Sequence, residues 1–348
     1  MLDNPLRGLL GIEDVVIKVG FGITLGFVAL QVLLPSVSRA AGVLQVVPMC
    51  GVVGNATALA GYEGTNAVDG KGPTFSGPSS FFGGADAALG YGCANWMVQI
   101  DGAWNGTPAY GVTNLGGSTG TASDGRGHIG GVAFLRDASL GRIGIAGSEI
   151  FDGTGNSSGG AGLYAGSLTR LGGFGEYYVN DKFTLGAGAF YDSGVPYYVT
   201  YPNQPLSFSG FDGYLSAKFY PNNRLSLSLR GDMQSASSSW PSGGAGATVP
   251  DQYSGFAATA EVEYLFEGNN LSVLGGARYA GRLDATNWGP QGRTFYDEQA
   301  YVGVKFAFGG SDPTSLQARD RNGTYDNTSV MFEKLPNLNY DEKISGAH

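Results

Sequence analysis

Two cysteines and two histidines in 348 residues are too few ligands for a multi-ligand zinc centre or an iron–sulfur cluster. Charged residues are also scarce, at 14 %, about half the usual share. Basic residues are the rarer sign, 20 against 29 acidic ones for a net charge of −9. That balance excludes a nucleic-acid binder that grips by neutralising phosphates. Beyond the first forty residues no segment keeps a helical period. What is abundant is glycine, with 60 residues, and aromatic rings, with 19 Tyr and 19 Phe in a chain that is 42 % hydrophobic. Such a chain is too apolar to stay disordered, so it folds, and it folds mostly as β-structure. No cofactor and no metal is implied.

The one long hydrophobic run lies near the start. Val19–Pro35 reads VGFGITLGFVALQVLLP, with Arg7 and Lys18 before it and Ser38-Arg39-Ala40-Ala41 after it. A cation, an apolar core and small residues at Ser38 and Ala40 are the order of a secretory signal, so residues 1–40 are expected to be a cleaved signal peptide. A retained membrane helix is the competing reading, since a run of this length is at the lower limit for spanning the bilayer. Met49 before Cys50 rules out a lipoprotein site.

Period-two alternation fills the remainder. Along Phe256–Phe266 one face carries Phe256, Ala258, Ala260, Val262, Tyr264 and Phe266, and the other Thr259, Glu261 and Glu263. Twelve such segments are predicted, near 52–63, 79–91, 94–105, 128–136, 140–150, 165–179, 182–192, 208–220, 224–234, 254–266, 270–281 and 298–308. Each is close to the length of a tilted membrane strand. Tight turns such as Asn180-Asp181 and Pro221-Asn222-Asn223 alternate with long Gly/Ser/Thr/Asn-rich connectors at 106–127, 151–164, 193–207, 235–253 and 282–297. In an up-and-down barrel that puts every tight turn on one rim and every long loop on the other. A soluble sandwich also alternates, but its apolar face is rich in large aliphatics. Here that face is Ala, Gly, Leu and Val with aromatics near strand ends, as at Trp96 and Trp104. The expected fold is all-β, an antiparallel up-and-down transmembrane barrel of about twelve strands.

The last segment, Tyr301–Phe308, resembles the closing strand of Gram-negative outer-membrane β-barrel proteins of the porin-like kind, with Gly303, Phe306 and Phe308 matching their assembly signal. The resemblance implies a barrel over 41–308, an outer-membrane location, and outer-membrane lipid and the barrel-assembly machinery as partners. About forty residues follow Phe308 where such proteins usually end. Residues 309–348 are polar and are expected to hang in the periplasm as a flexible tail, with docking to peptidoglycan or plugging of the pore as the other readings. Cys50, at the base of the first strand, and Cys93, in the turn after the second, fall on one rim and are expected to form a disulfide.

With the polar face inward, the lumen presents Asp86, Asp101, Glu176, Asp212, Asp232, Glu261 and Glu263 against Arg142, Arg170, Lys218, Arg230, Arg278 and Lys305. Opposed signs of nearly equal number either pair and close a narrow interior or line a small aqueous pore. Inward Gly84, Gly90, Gly144, Gly186, Gly188 and Gly276 are expected to leave space, which favours passive diffusion of small hydrophilic solutes. The alternative is a non-transporting structural or surface-interaction barrel that acts through its extracellular loops. A hydrolase is disfavoured. Gly155–Gly159 matches G-x-S-x-G only in a loop, and His128, the one available base, is expected at the solvated outer rim.

Overall fold

The computed structural model describes residues 50–69, 75–113, 119–156, 164–195, 207–241, 248–284, 293–309 and 314–328. The expected signal peptide, 1–40, lies outside them. Twelve strands run in chain order: β1 (Gly51–Asp69), β2 (Phe75–Cys93), β3 (Trp96–Thr113), β4 (Thr119–Asp137), β5 (Gly141–Asn156) and β6 (Tyr164–Asn180). The second half adds β7 (Phe183–Val195), β8 (Ser207–Asn222), β9 (Leu225–Pro241), β10 (Thr248–Leu265), β11 (Leu271–Asp284) and β12 (Arg293–Gly309). Every strand pairs antiparallel with its sequence neighbours. β1 closes on β12 from Val53 opposite Gly309 to Asp69 opposite Arg293, so the barrel has no free edge.

Each predicted segment corresponds to one strand, but the strands run further toward the rim of the long connectors. β4 begins at Thr119 and not near 128, and β9 continues to Pro241. The Gly-, Ser- and Thr-rich stretches read as loops are largely extensions of the ladder. Backbone pairing needs no apolar alternation, so the sequence pattern fades where the lipid ends while the hydrogen bonds continue. On the opposite rim the turns are short and closed by side chains. Asn180 Oδ1 accepts from Lys182 N at 2.8 Å, Asn222 Oδ1 from Arg224 N at 2.8 Å, and Asp137 Oδ1 from Ser139 N at 2.8 Å. Cys50 and Cys93 are joined by a disulfide on this rim.

Alternation sorts the two faces. Outward Phe81, Leu215 and Val302 are 72, 70 and 68 % exposed, and inward Asp192 and Arg170 are 0 and 2 % exposed. An apolar exterior of this extent is a hazard in water and the required surface in a bilayer. Outward aromatics form two rows. One holds Tyr62–Phe81, Trp104–Phe151 and Tyr191–Phe211, with ring centroids 5.4, 6.0 and 5.2 Å apart. The other, near the turns, holds Tyr91–Trp96 and the closing pair Phe306–Phe308, 6.1 and 6.4 Å apart. On β2 and β3 the two rows are separated by roughly eight to ten residues, or about 20–26 Å along the axis for strands tilted near 40°. That matches the apolar band of a bilayer. Of the closing strand's motif, Phe306 and Phe308 face outward, while Gly303 faces inward, where a Cβ would lie 2.9 Å from the Ala58 carbonyl.

The inward glycines do not leave a pore. A Cβ at Gly188 would lie 2.4 Å from the Tyr214 ring, at Gly144 2.5 Å from Phe134 Cβ, and at Gly84 1.8 Å from Asn105 Oδ1. Met97, Ser216 and Tyr301 fill the corresponding positions beside Gly90, Gly186 and Gly276. Each glycine makes room for a larger inward side chain on the adjacent strand, so its missing volume is already occupied.

The sorting of faces gives a direct test. Leu215→Arg places a cation on the lipid face and should cost about 2–4 kcal/mol if it lies near the bilayer midplane. The neighbouring inward change Ser216→Asn should cost much less. Refolding into lipid vesicles under urea, followed by heat-modifiable gel mobility, reads both.

Candidate functional site: the lumen and its C-terminal segment

All thirteen charged residues expected in the lumen lie on the inward register of their strands, and they are not scattered. Three arginines form a repeated unit in which each guanidinium meets at least one carboxylate and at least one ring. Arg142 Nη2 donates to Glu176 Oε1 at 2.8 Å and lies 5.4 Å from the Phe134 ring. Arg170 Nε donates to Asp212 Oδ2 at 3.0 Å and lies 3.3 Å from the Phe190 ring. Arg230 Nη2 donates to Asp232 Oδ1 at 2.8 Å and lies 4.1 Å from the Tyr214 ring. Phe134, Phe174, Phe190 and Tyr214 join Val53, Met97, Val132 and Ala146 in one buried cluster inside the barrel. The sequence reading placed aromatics on the outer face alone. For Phe174, Phe190 and Tyr214, parity with Glu176, Asp192 and Asp212 on the same strands was the signal that marked them as inward.

His128 is corrected outright. It is 3 % exposed and sits in the wall with Nε2 3.4 Å from Asp101 Oδ1. Because β4 starts nine residues earlier than expected, His128 falls well inside the strand and not at its tip.

The largest departure concerns the chain after the barrel, because the described part of the expected periplasmic tail is packed inside. Gly309 ends β12 with φ +68, where a Cβ would lie 2.0 Å from the Val52 carbonyl oxygen. A short helix, α1 (Leu316–Asn322), then crosses the turn rim, capped by Ser315, whose side chain accepts from Ala318 N. Leu316 is fully buried against Tyr220 and Leu265, and its N–H donates to Asn223 O at 2.7 Å. Lys218 Nζ lies 2.5 Å from Asp320 Oδ2, and Arg319 pairs with Glu263. Arg321 donates to Asn180 O at 2.5 Å, and Arg136 bridges Asn322 O at 2.6 Å and Cys93 O at 2.9 Å. The disulfide-held β2–β3 turn is therefore part of the mooring.

From Gly323 the chain turns up the lumen. Arg142 donates to Gly323 O and Thr324 O at 3.4 and 3.3 Å, Arg170 to Asn327 O at 3.4 Å, and Arg230 to Thr328 O at 3.3 Å. The Gln99 amide pairs with both backbone groups of Tyr325, donating to its carbonyl at 2.8 Å and accepting from its N–H at 2.8 Å. The Tyr325 ring stacks on Phe174 with centroids 3.6 Å apart, and its hydroxyl meets that of Tyr214 at 2.8 Å. Asn327 Nδ2 donates to Asp101 Oδ1 at 3.3 Å. Gly130 makes this possible, because a Cβ there would lie 2.6 Å from that same oxygen and 2.7 Å from Asn327 Nδ2. The composition of 309–348 gave no warning of this seat, since the partners that order the segment stand far away in sequence.

The segment does not fill the barrel evenly. A cavity of about 260 Å³ opens at the turn rim beside Val53, Asn55, Lys305, Arg319 and Thr324. A second, of about 110 Å³, lies beside Asp86, Glu261, Arg278, Tyr301 and Lys305. Asn55, Lys305 and Thr324 border both, and the second also reaches Asp101, His128 and Tyr325, so space remains beside β1, β11 and β12 while most of the tail's hydrogen bonds run to β3 to β9. Among the described residues no three His, Cys, Asp or Glu side chains are grouped to hold a metal ion.

No family model and no curated protein matches the chain. Among solved structures it is similar to the toluene transporter TodX of Pseudomonas putida, at 10 % identity over 73 % of this chain and 89 % of that one, with a TM-score of 0.40. A deletion mutant of the TodX monoaromatic hydrocarbon channel gives 11 % identity, 75 and 91 % coverage and a TM-score of 0.41. OmpT, an outer membrane protein of Vibrio cholerae, gives 10 % identity, 73 and 98 % coverage and a TM-score of 0.34. Likeness at these scores carries no argument about what passes or binds. The closed antiparallel barrel, its apolar exterior and its two aromatic rows make the chain an outer-membrane β-barrel protein.

Two experiments test the seat. Tyr325→Ala removes a buried ring worth about 3–5 kcal/mol by the measure of other buried aromatics, and Gly130→Ala forces Asn327 off Asp101. Either change should expose Arg319 and Arg321 to trypsin in the folded barrel, with Tyr325→Ala the stronger and native protein resistant. Acid should act in the same direction. Burial alone would raise the Asp320 carboxyl, but the Lys218 ammonium and Arg319 outweigh it and hold it well below the usual carboxylate range. The contribution of Asp320 is therefore complete above about pH 4 and lost as pH falls toward its lowered value. Pepsin cleavage of the tail, normalised to an unstructured peptide, should rise below about pH 4, and Asp320→Asn should raise it already at pH 5.

Proposed function

We propose that the protein is an outer-membrane channel for passive diffusion of small hydrophilic solutes, narrowed by its own C-terminal segment. One observation carries the reading: two cavities that share Asn55, Lys305 and Thr324 remain beside β1, β11 and β12, next to a tail whose hydrogen bonds run mostly to β3 to β9. A barrel meant only to be solid has no need of a charged, unfilled side. Within the lumen, the Gly323–Thr328 segment takes most of its hydrogen bonds on neutral backbone carbonyls, from Arg142, Arg170, Arg230 and Gln99. We also propose that residues 1–40 are cleaved on export to the outer membrane of a Gram-negative bacterium, that the assembly machinery reads the Phe306 and Phe308 strand, and that the chain is not an enzyme. In support of the last, Gly155 and Asn156 of the G-x-S-x-G run belong to a strand, β5, and the motif has catalytic meaning only on a strand-to-helix turn.

A second reading is favoured by the aromatic cluster: with Tyr325 stacked on Phe174, the lumen resembles a filled core, as in a non-transporting barrel that acts through its outer loops. Planar-bilayer recordings separate the two. The full chain should give small, reproducible steps, and the chain ending at Gly309 or carrying Tyr325→Ala should give larger ones with weak ion preference. Silence from all three, each heat-modifiable and therefore folded, would sink the channel and move the function to the loops.

A further inference from the structure

Of the six basic residues expected in the lumen, four have a carboxylate within 4 Å: Arg142, Arg170, Lys218 and Arg230. Arg278 and Lys305 meet none among the described residues, and Arg278 is the more telling, being only 4 % exposed. Its Nη1 donates to the neutral Gln299 Oε1 at 3.3 Å, its guanidinium lies 4.4 Å from the Tyr301 ring, and its Nε has no hydrogen-bond partner. A buried cation with no carboxylate in contact and with an unmet donor is costly, and such groups are nearly always paired. Here the guanidinium borders the inner cavity, and Gly276 keeps room for the ring beside it, since a Cβ there would meet the Tyr301 hydroxyl at 2.4 Å.

We propose that this cavity is a binding site for a small carboxylate, with Arg278 as its anchor and Lys305 as the second cation at its entrance. The flat fork of a guanidinium suits the two oxygens of a carboxylate better than a spherical anion. Lys305 borders both cavities and so meets a solute coming from the turn rim. Asp86, Asp101, Glu261 and Asp326 line the same space and repel a second negative charge. They select a monocarboxylate that brings its own hydroxyl or ammonium donor, a hydroxy acid or an amino acid of few atoms. Tyr325 and Asn327 form part of the cavity lining, so a bound solute lies against the tail. The inference deepens the channel reading and rests on it for the route by which solute arrives, while binding itself is measurable without current.

The test is calorimetric titration of the full chain, folded in detergent micelles, with sodium glycolate. Glycolamide serves as the uncharged isostere and sodium chloride as the spherical anion. Glycolate should bind and glycolamide should not, with chloride at least about tenfold weaker. Arg278→Gln should lower glycolate affinity by at least about tenfold, Lys305→Gln by less, and Arg278→Lys should keep part of it. The lysine variant guards against a fold lost with the charge, and heat-modifiable mobility checks all of them. Absence of glycolate binding to the folded native chain, equal binding of chloride, or unchanged affinity in Arg278→Gln would overturn the site. Bilayer steps without glycolate binding would remove this site and leave the channel standing. Binding by a protein silent in bilayers would do the reverse.

Discussion

Inside a bilayer the backbone has no water to bond, so every N–H and C=O on a crossing strand must find a partner on a neighbouring strand. The ladder between β1 and β12 meets that demand at the seam, and the rest of the molecule follows from closure. Once the sheet is closed, each residue has one of two environments, lipid or lumen, decided by the parity of its position. Parity then fixes chemistry. Leu215 and Val302 face hydrocarbon, and their immediate neighbours Ser216 and Gly303 face inward. A shift of one residue would put Arg230 into lipid and Leu229 into the lumen, so register is held by both faces at once.

Closure also explains why the interior needs more than water. At twelve strands the lumen is too wide for facing walls to interdigitate fully and narrow enough for long side chains to meet near the axis. Arginine suits that distance. Each of Arg142, Arg170 and Arg230 lies near an aromatic ring, is neutralised by a carboxylate on its own wall and still has N–H groups to spare. Those spare donors point to the axis, where the carbonyls of Gly323 to Thr328 accept them. The wall thus prepares a row of donors, and an extended chain is the natural complement to such a row.

The strand count, order and inward charges were legible because alternation and turn chemistry are local properties of sequence. Cys50 and Cys93 could be placed on one rim by counting strands, since antiparallel neighbours return the chain to the same side. Strand ends were less legible, because a ladder of Gly, Ser and Thr above the membrane keeps its hydrogen bonds without any apolar pattern. The inward glycines misled for a related reason: the volume a glycine lacks is taken by a residue on another strand, as Tyr214 does at Gly188. The seat of the tail was illegible in principle. Asn327 meets Asp101 across 226 residues, and nothing near either position encodes the meeting.

The two sides of the lumen differ in what they ask of a partner. On the tail side Arg142, Arg170 and Arg230 each already have a carboxylate, so a partner need only supply neutral acceptors, and an uncharged stretch of backbone does so without burying a new charge. On the side of β11 and β12, Arg278 has no carboxylate in contact among the described residues, and a neutral backbone would leave it so. A segment with the polarity of Gly323–Thr328 therefore belongs against β3 to β9, and the space beside β11 and β12 is where Arg278 keeps an unmet donor. Division of the interior into a filled side and an open one follows from where carboxylates were placed on the wall.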